Sequence, residues 1–335
     1  MQAQINVHFA AQNFEELLQI AQTCIKLFPT ITLGFKAAGV ALFSLNQKRQ
    51  AILFMEKAVL LDARDSEALS NLGYCLNECA QNQAELLKAQ QFLKRALNLN
   101  SQSFVVLNNL AGNALYLKKF KDAEEYAQKS LKLNQNYLSA YLNLASAFLA
   151  QNSLEKGEII LNELKFKLNL MNKDEKIKFY YLKMNISHLK GEKIKAYEAA
   201  KECVLLDEKN IKNKCFFNVF SNEIGKSDES ASRMLELFKE NKNEFELLMR
   251  LPSVLIYSSK MTPEKIGKVL NEIKQILSKK IKTKYKHFPP KEKLKKLKIG
   301  FVSGDLKKHA VSFFIFGLLK HLNKEQFNFY AYLSF

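Results

Sequence analysis

Glycine and proline are scarce in this chain, with 11 and 5 among 335 residues, about half and about a third of ordinary usage. Sandwiches and barrels stock their frequent turns with both residues, so the shortage excludes an all-β fold and predicts a mostly α chain. Arginine is also rare. Arg49, Arg64, Arg95, Arg233 and Arg250 are the only ones among 51 basic residues, and no cluster of the guanidinium forks that read bases and phosphates is present. No nucleic-acid partner is therefore expected, despite a net charge of +18. The five cysteines, Cys24, Cys75, Cys79, Cys203 and Cys215, contain no CxxC pair. The start MQAQINVHFAAQ lacks the basic and apolar parts of a secretory signal. Both features point to a reducing, cytoplasmic setting. The longest apolar run, Ala310 to Leu319, is about half of what a bilayer requires, so no membrane segment is expected. His8, His188, His287, His309 and His321 have no ligand spacing among themselves or with the cysteines, which leaves no metal site. No glycine-rich phosphate loop is present either, so no cofactor is expected for the chain alone.

The composition that remains, 47% hydrophobic and 25% charged, is that of a folded chain, and its length suits two ordinary domains or one long repeat array. The charge is concentrated. Between Lys279 and Lys298 there are ten lysines and one glutamate, half of the net excess. Such a run reads as a solvated linker, or as a contact for an acidic partner or anionic surface.

Small residues reveal an internal period. Gly39, Gly73, Ala111 and Ala145 follow one another at steps of 34, 38 and 34, and Ala51, Ala89, Ala123 and Gly157 at steps of 38, 34 and 34. The shared four-residue insertion falls around Ala80 to Ala84, where a corner between helices can absorb it. Apolar residues around each phase recur at helical spacing, as in Leu69, Leu72 and Leu76 or Leu107, Leu110 and Ala114. Each unit is thus expected to be a helical hairpin, with small residues where its two helices cross. Ala58, Ala96 and Ser130 mark a later small position in the second helices, and Cys24 and Cys203 extend that series as core residues.

The 34-residue period, with motifs such as SNLGYCL and KAQQFLKRALNLN, resembles the tetratricopeptide repeat family, best between 32 and 170. Asn13 to Pro29 resembles the second helix of a truncated first unit, and Ile177 to Lys209 a degenerate late one, so the array is expected over 1–209. The resemblance implies a right-handed superhelix of hairpins, held by contacts between neighbours and binding polypeptides on its concave face. First helices would line that face. Asn71, Asn109 and Asn143, each directly before a leucine, would form a ladder down it, broken by Ala37 in the first full unit. Asn amides offer donors and an acceptor and could clamp the backbone of an extended acceptor peptide. The alternative is that they satisfy local polar contacts within the array.

Past Asn210 the repeat motif fades while helical patterning continues, through Ala231 to Lys239 and Glu244 to Leu251. Thr262 and Pro263 mark a helix start, with Thr as N-cap and Pro at the first helical position. A helical connector is expected over 210–298, ending in the lysine-rich linker. Then the period changes. Leu297 to Val302 reads as a strand, Ser303 to His309 as a polar turn, Val311 to Leu322 as a helix and Phe327 to Phe335 as a second strand. This is one βαβ unit, which predicts a parallel pair with a right-handed crossover. A lone unit leaves one face and both edges uncovered, so the chain is expected to stop near the beginning of an α/β domain starting at 299.

The residues KLKIGFVSGDLKKHAVSFFIFGLLKHLNKEQFNFYAYLSF resemble the opening of the catalytic region of the SPINDLY and O-linked N-acetylglucosamine transferase family, with Leu306 in place of the family's usual Phe. LPSVLIYSSKMTPEKIGKVL is similar to the segment that joins that family's repeats to its catalytic region. The resemblance implies a two-lobed glycosyltransferase that moves a sugar from a UDP donor to a protein hydroxyl. His309 matches the family's active-site His, beyond the carboxyl end of a parallel strand where ligands bind in open sheets, and imidazole can relay a proton near neutral pH. The family's donor contacts belong to a second lobe that these residues do not contain. The chain alone is therefore expected to be inactive as a transferase and to hold no UDP-sugar. A non-catalytic interaction adaptor is the alternative.

Overall fold

The computed structural model describes residues 1–280, 297–302, 315, 317, 319–321 and 327–332. It falls into two compact units, Met1–Ile276 and Leu277–Phe335. The first begins with α1 (Gln2–Ala10) and α2 (Phe14–Leu27), followed by α3 (Thr32–Ser44) with α4 (Lys48–Leu61), and α5 (Ser66–Cys79) with α6 (Gln83–Leu99). Next come α7 (Phe104–Tyr116) with α8 (Phe120–Leu133), and α9 (Leu138–Ala150) with α10 (Leu154–Lys165). A short 3-10 turn at Leu168–Leu170 precedes α11 (Lys173–Leu189) with α12 (Lys193–Leu206). Then come α13 (Ile211–Glu223) with α14 (Ser227–Glu240), followed by α15 (Phe245–Leu255) and α16 (Pro263–Lys280).

The helices form because apolar residues recur on one face and because capping groups mark their starts. Asp65 accepts from the Ala68 amide at 2.9 Å, Ser103 from the Val106 amide at 3.3 Å, and Asn172 with Glu175 closes a full capping box. The expected start at Thr262 and Pro263 is present, with the Lys265 amide on the Thr262 hydroxyl at 3.4 Å. Between the helices of a pair the chain turns through one left-handed residue. These are Gln12, Asn46, Lys118, Asn152, Gly191 and Gly225, with φ from +55° to +91°. The steps from Gln12 to Asn46, Lys118 to Asn152 and Gly191 to Gly225 are each 34 residues, and among the hairpins from α1 to α14 the one without such a residue is α5 with α6, where the insertion lies. There the extra residues lengthen α6 to 17 residues, against 14 in α4 and α8. The insertion is thus taken up largely as an added helical turn.

Crossings are tight where the sequence placed small residues. A Cβ on Gly73 would lie 2.7 Å from Leu93 Cγ and 3.2 Å from the Ala89 carbonyl oxygen, so this position admits no side chain without movement. Leu69, Leu93, Ala96, Val106 and Leu110 form one core from α5, α6 and α7. Leu142, Leu161, Leu164, Phe179 and Ile186 belong to another, from α9, α10 and α11. Each core therefore joins one hairpin to the next, as expected of a stack stabilised by nearest neighbours. Cys24 and Cys203 are buried as small core residues. Burial pushes the Cys75, Cys203 and Cys215 thiols up to about 12, which keeps them protonated and unreactive.

Helical pairing reaches back to α1 at the start of the array expected over 1–209 and continues past its end. At the start, α1 precedes α2 as its partner, so the first unit is short rather than lacking its first helix. At the end, α13 packs on α12 and α14, and α15 on α13 and α14. No break in packing falls at Lys209. The crossing residues there differ in kind from the repeat motif, which is why the sequence reading placed a boundary.

The second unit contains β1 (Leu297–Val302) and β2 (Phe327–Tyr332), which pair in parallel from Leu297 opposite Phe327 to Val302 opposite Tyr332. The polar turn that holds His309 lies outside the described residues, as does most of the expected crossover helix. No helix among the described residues is long and apolar enough to cross a membrane.

Candidate functional site

The first helices α3, α5, α7, α9 and α11 touch one another in succession, while each second helix from α4 to α10 packs between its own partner and the next first helix. One face of the stack is therefore made of first helices alone. Lys178 of α11 lies within electrostatic reach of Glu78 of α5, with the α7 and α9 hairpins between them. That proximity across two intervening hairpins fits a face that curves inward, as in a tetratricopeptide-like superhelix. The face forms a groove.

Asn71 and Asn109 lie in this face half-buried, and Asn143 is buried with 5% of its surface exposed. They are not equivalent. Asn109 Nδ2 donates to Ser70 Oγ at 3.1 Å, which ties α7 to α5. Asn143 Nδ2 donates to the backbone and side-chain oxygens of Asn108, at 3.1 and 2.8 Å. Its own Oδ1 accepts from Lys178 Nζ at 2.6 Å. Asn143 thus links α7, α9 and α11, and its amide is fully used inside the protein. A second tie, buried nearby, runs from Asn113 Nδ2 to Asn77 Oδ1 at 2.8 Å and to the Leu86 carbonyl at 2.9 Å.

Around this polar line the groove carries tyrosines and open space. Tyr74 and Tyr116 expose 41% and 53% of their surface. The Tyr116 hydroxyl donates to Glu78 Oε2 at 3.4 Å. Burial, with Glu78 adding to it, raises the Tyr116 phenol to about 12 and raises Tyr74 further, so both hydroxyls stay protonated as donors. Gly112 of α7 holds the repeat position that Tyr74 holds in α5. A Cβ there would meet nothing nearer than Asn143 Nδ2 at 3.9 Å. Packing does not require glycine at this position, and its lack of a side chain keeps the groove floor clear.

Lys178 is the groove's strongly perturbed cation. Burial draws its pKa down from 10.5 to about 8, against the opposing pull of Glu78 and Glu175. The residue keeps part of its surface exposed, yet its ammonium lies deep in the groove. The sequence reading missed Lys178, Asn108, Tyr74 and Tyr116. One signal could have found Lys178, since it stands 35 residues after Asn143, close to one period. The expected catalytic residue, His309, lies outside the described residues.

No protein-family profile matches the chain, and no curated protein is similar to it. Solved structures do share its fold. A chain of the APC/C hetero-tetramer Cut9-Hcn1 superposes with a TM-score of 0.66 at 14% identity, over 75% of this chain and 48% of that one. PilW, described as a widely conserved type IV pilus biogenesis factor, gives 0.50 at 15% identity over 62% and 92%. This chain spans about half the length of the Cut9-Hcn1 chain it matches. At such identities the likeness shows the fold alone and gives no support to the glycosyltransferase resemblance. The first unit is a tetratricopeptide-like stack of helical hairpins.

Proposed function

We propose that this protein is a polypeptide-binding scaffold whose groove holds an extended partner segment over Asn71, Asn109 and Asn143. The observation that carries the reading is the open floor at Gly112, on a face that also carries the exposed Tyr74 and Tyr116 and two hydrogen-bonded polar sets, Ser70 with Asn109 and Asn108 with Asn143 and Lys178. Aromatic rings give contact area at low entropic cost, and polar groups along the floor meet the backbone of an extended chain. Asn143 contributes indirectly, by holding Lys178. Placing a bulky ring in the clear space tests this directly. Gly112→Phe should lower the affinity for extended peptides about tenfold or more, since one blocked contact is worth 1.4 kcal/mol per decade, while the thermal midpoint stays near that of the wild type. Unchanged peptide capture by Gly112→Phe would refute the groove as the binding surface.

A second, finer reading is a UDP-sugar-dependent protein glycosyltransferase in which the groove delivers the acceptor. The resemblance over Lys298 to Phe335 supports it, and so does the parallel pairing of β1 with β2, the order such a domain begins with. Its test is His309→Ala in the natural gene product, with sugar transfer from UDP-N-acetylglucosamine to peptide as the readout. Loss of about a hundredfold is expected for a positioned proton-transfer group, whereas equal transfer by the variant would remove His309 from the reaction.

A further inference from the structure

The later units hold a feature that the polar line does not explain. A cavity of about 340 Å3 is lined by Asp174, Ile177, Lys178 and Tyr181 of α11 and by Lys212 and Asn213 of α13. Lys178 spends its ammonium on the neutral Asn143 oxygen. Lys212 lies over the rings of Tyr181 and Phe216, at 5.5 and 5.9 Å from their centroids. Among the described residues neither lysine has a carboxylate within ion-pair distance.

The acidic groups near the cavity are few. Asp174 is on its wall, and Glu78 of α5 acts on Lys178 only through the longer-range field. Glu175 of α11 is already engaged, accepting from the Ser139 hydroxyl and the Asn172 amide. Lys178 thus has carboxylates only beyond ion-pair distance, and the exposed Lys212 stands with Asp174 beside the apolar and aromatic surfaces of Ile177 and Tyr181. The desolvated Lys178 ammonium has no carboxylate in contact, which is unfavourable, and a carboxylate entering the cavity would relieve that penalty through a charge-assisted hydrogen bond that the exposed Lys212 can also join.

We propose that this cavity is a subsite for acidic side chains of a bound polypeptide, so that the groove selects segments rich in Asp and Glu. The subsite rests on the polypeptide-binding reading above and specifies its partner. Lysine in place of arginine suits it, because a compact ammonium receives a single carboxylate oxygen as a point charge rather than a planar fork.

Fluorescence anisotropy with the 335-residue chain, at about 0.15 M salt where exposed charges are screened, tests the subsite with a Glu-rich peptide, a Gln-rich peptide of equal length and an oligo-dT. The Glu-rich peptide should bind at least about tenfold more tightly than the Gln-rich one, and Lys178→Gln and Lys212→Gln should each remove about tenfold of that affinity. Lys129→Gln, on an exposed face of α8, should leave it unchanged. Raising the pH from about 7 to about 9 should weaken binding of the Glu-rich peptide, because the Lys178 ammonium is lost above its lowered pKa, and Lys178→Arg should abolish that dependence. The groups that also face Lys178, namely Glu78, Asp174, Glu175 and Lys212, remain in Lys178→Arg, so the difference isolates one ammonium. Among the described residues the Lys212 ammonium makes no hydrogen bond, so Lys212→Gln keeps the test decisive if Lys178→Gln loosens Asn143. Equal binding of the two peptides, unaffected by either variant, overturns the subsite while the groove reading stands. Absence of binding by either peptide overturns both. Oligo-dT binding that depends on the same two lysines assigns the cavity to nucleic acid and overturns the proposal.

Discussion

In the four hairpins from α3 to α10 the eighth residue of the first helix is Gly39, Gly73, Ala111 or Ala145, whereas α11 has Met184 at the corresponding crossing and α13 has Asn218. Both groups cross closely. In the first group the first helix gives way, and Gly73 leaves room for Leu93. In the second, only the second helix is small at the crossing. Met184 is buried against Ala196, Ala199 and Ala200 of α12, and Ser230 of α14 puts its hydroxyl on the Asn218 carbonyl at 2.6 Å. What the stack requires is a small summed volume at each crossing, in either helix, and not a particular motif residue.

Substitutions on the two sides of this comparison should differ in mechanism. The largest effect is expected for Met184→Ala, which leaves a void against α12's three alanines and should cost about 3 kcal/mol in chemical denaturation, within the range for buried Met truncations. Gly73→Ala should cost about 2 kcal/mol by overpacking, because Leu93 is fully buried and cannot swing away. A stability equal to wild type in Gly73→Ala would show that the middle crossings are as tolerant as the late ones. Asn143→Ala strands the Asn108 oxygen and Lys178 and should cost about 1–3 kcal/mol, the penalty for unsatisfied buried groups, while Asn71→Ala should stay within about 0.5 kcal/mol. Equal losses at the two asparagines would erase the distinction between an internal stitch and an open groove amide.

A modest, pH-dependent effect is expected at the start of α5. Burial would raise the Asp65 carboxyl, but the Ala68 amide, the Lys36 ammonium at 2.9 Å and the Thr32 hydroxyl together hold it below its ordinary value. A lowered folded value means that this carboxylate's contribution is full above the ordinary carboxylate range and is lost as pH falls through the folded value. Asp65→Ala should cost about 1 kcal/mol as a lost N-cap and should flatten the acid limb of a stability profile, measured by denaturation at a series of acid pH values. An unchanged acid limb would mean that Asp65 does not couple to the fold.

The middle units were legible because helix geometry and the small crossing residues repeat there together. The late units were less so. Met184 and Asn218 hide a crossing whose small partners, Ala196 and Ser230, occupy the fourth residue of their second helices, as Ala51, Ala123 and Gly157 do. That second phase continues to the end of α14, and reading it alone would have carried the repeat past Lys209. In the groove the Asn positions were legible as a row, but their roles were not. Asn71, Asn109 and Asn143 share one phase, yet their burial and bonds depend on neighbours in other units, such as Ser70 and Lys178.

By itself the sequence determined the hairpin period, the helix starts and the crossing residues, since these depend on spacing within one helix or between two helices joined by a short corner. The tertiary structure decided which polar groups meet. Lys178 reaches Asn143 and senses Glu78 only because successive first helices stack with an inward curve. That curve is summed from the volumes of many side chains in separate cores, and no local pattern encodes it.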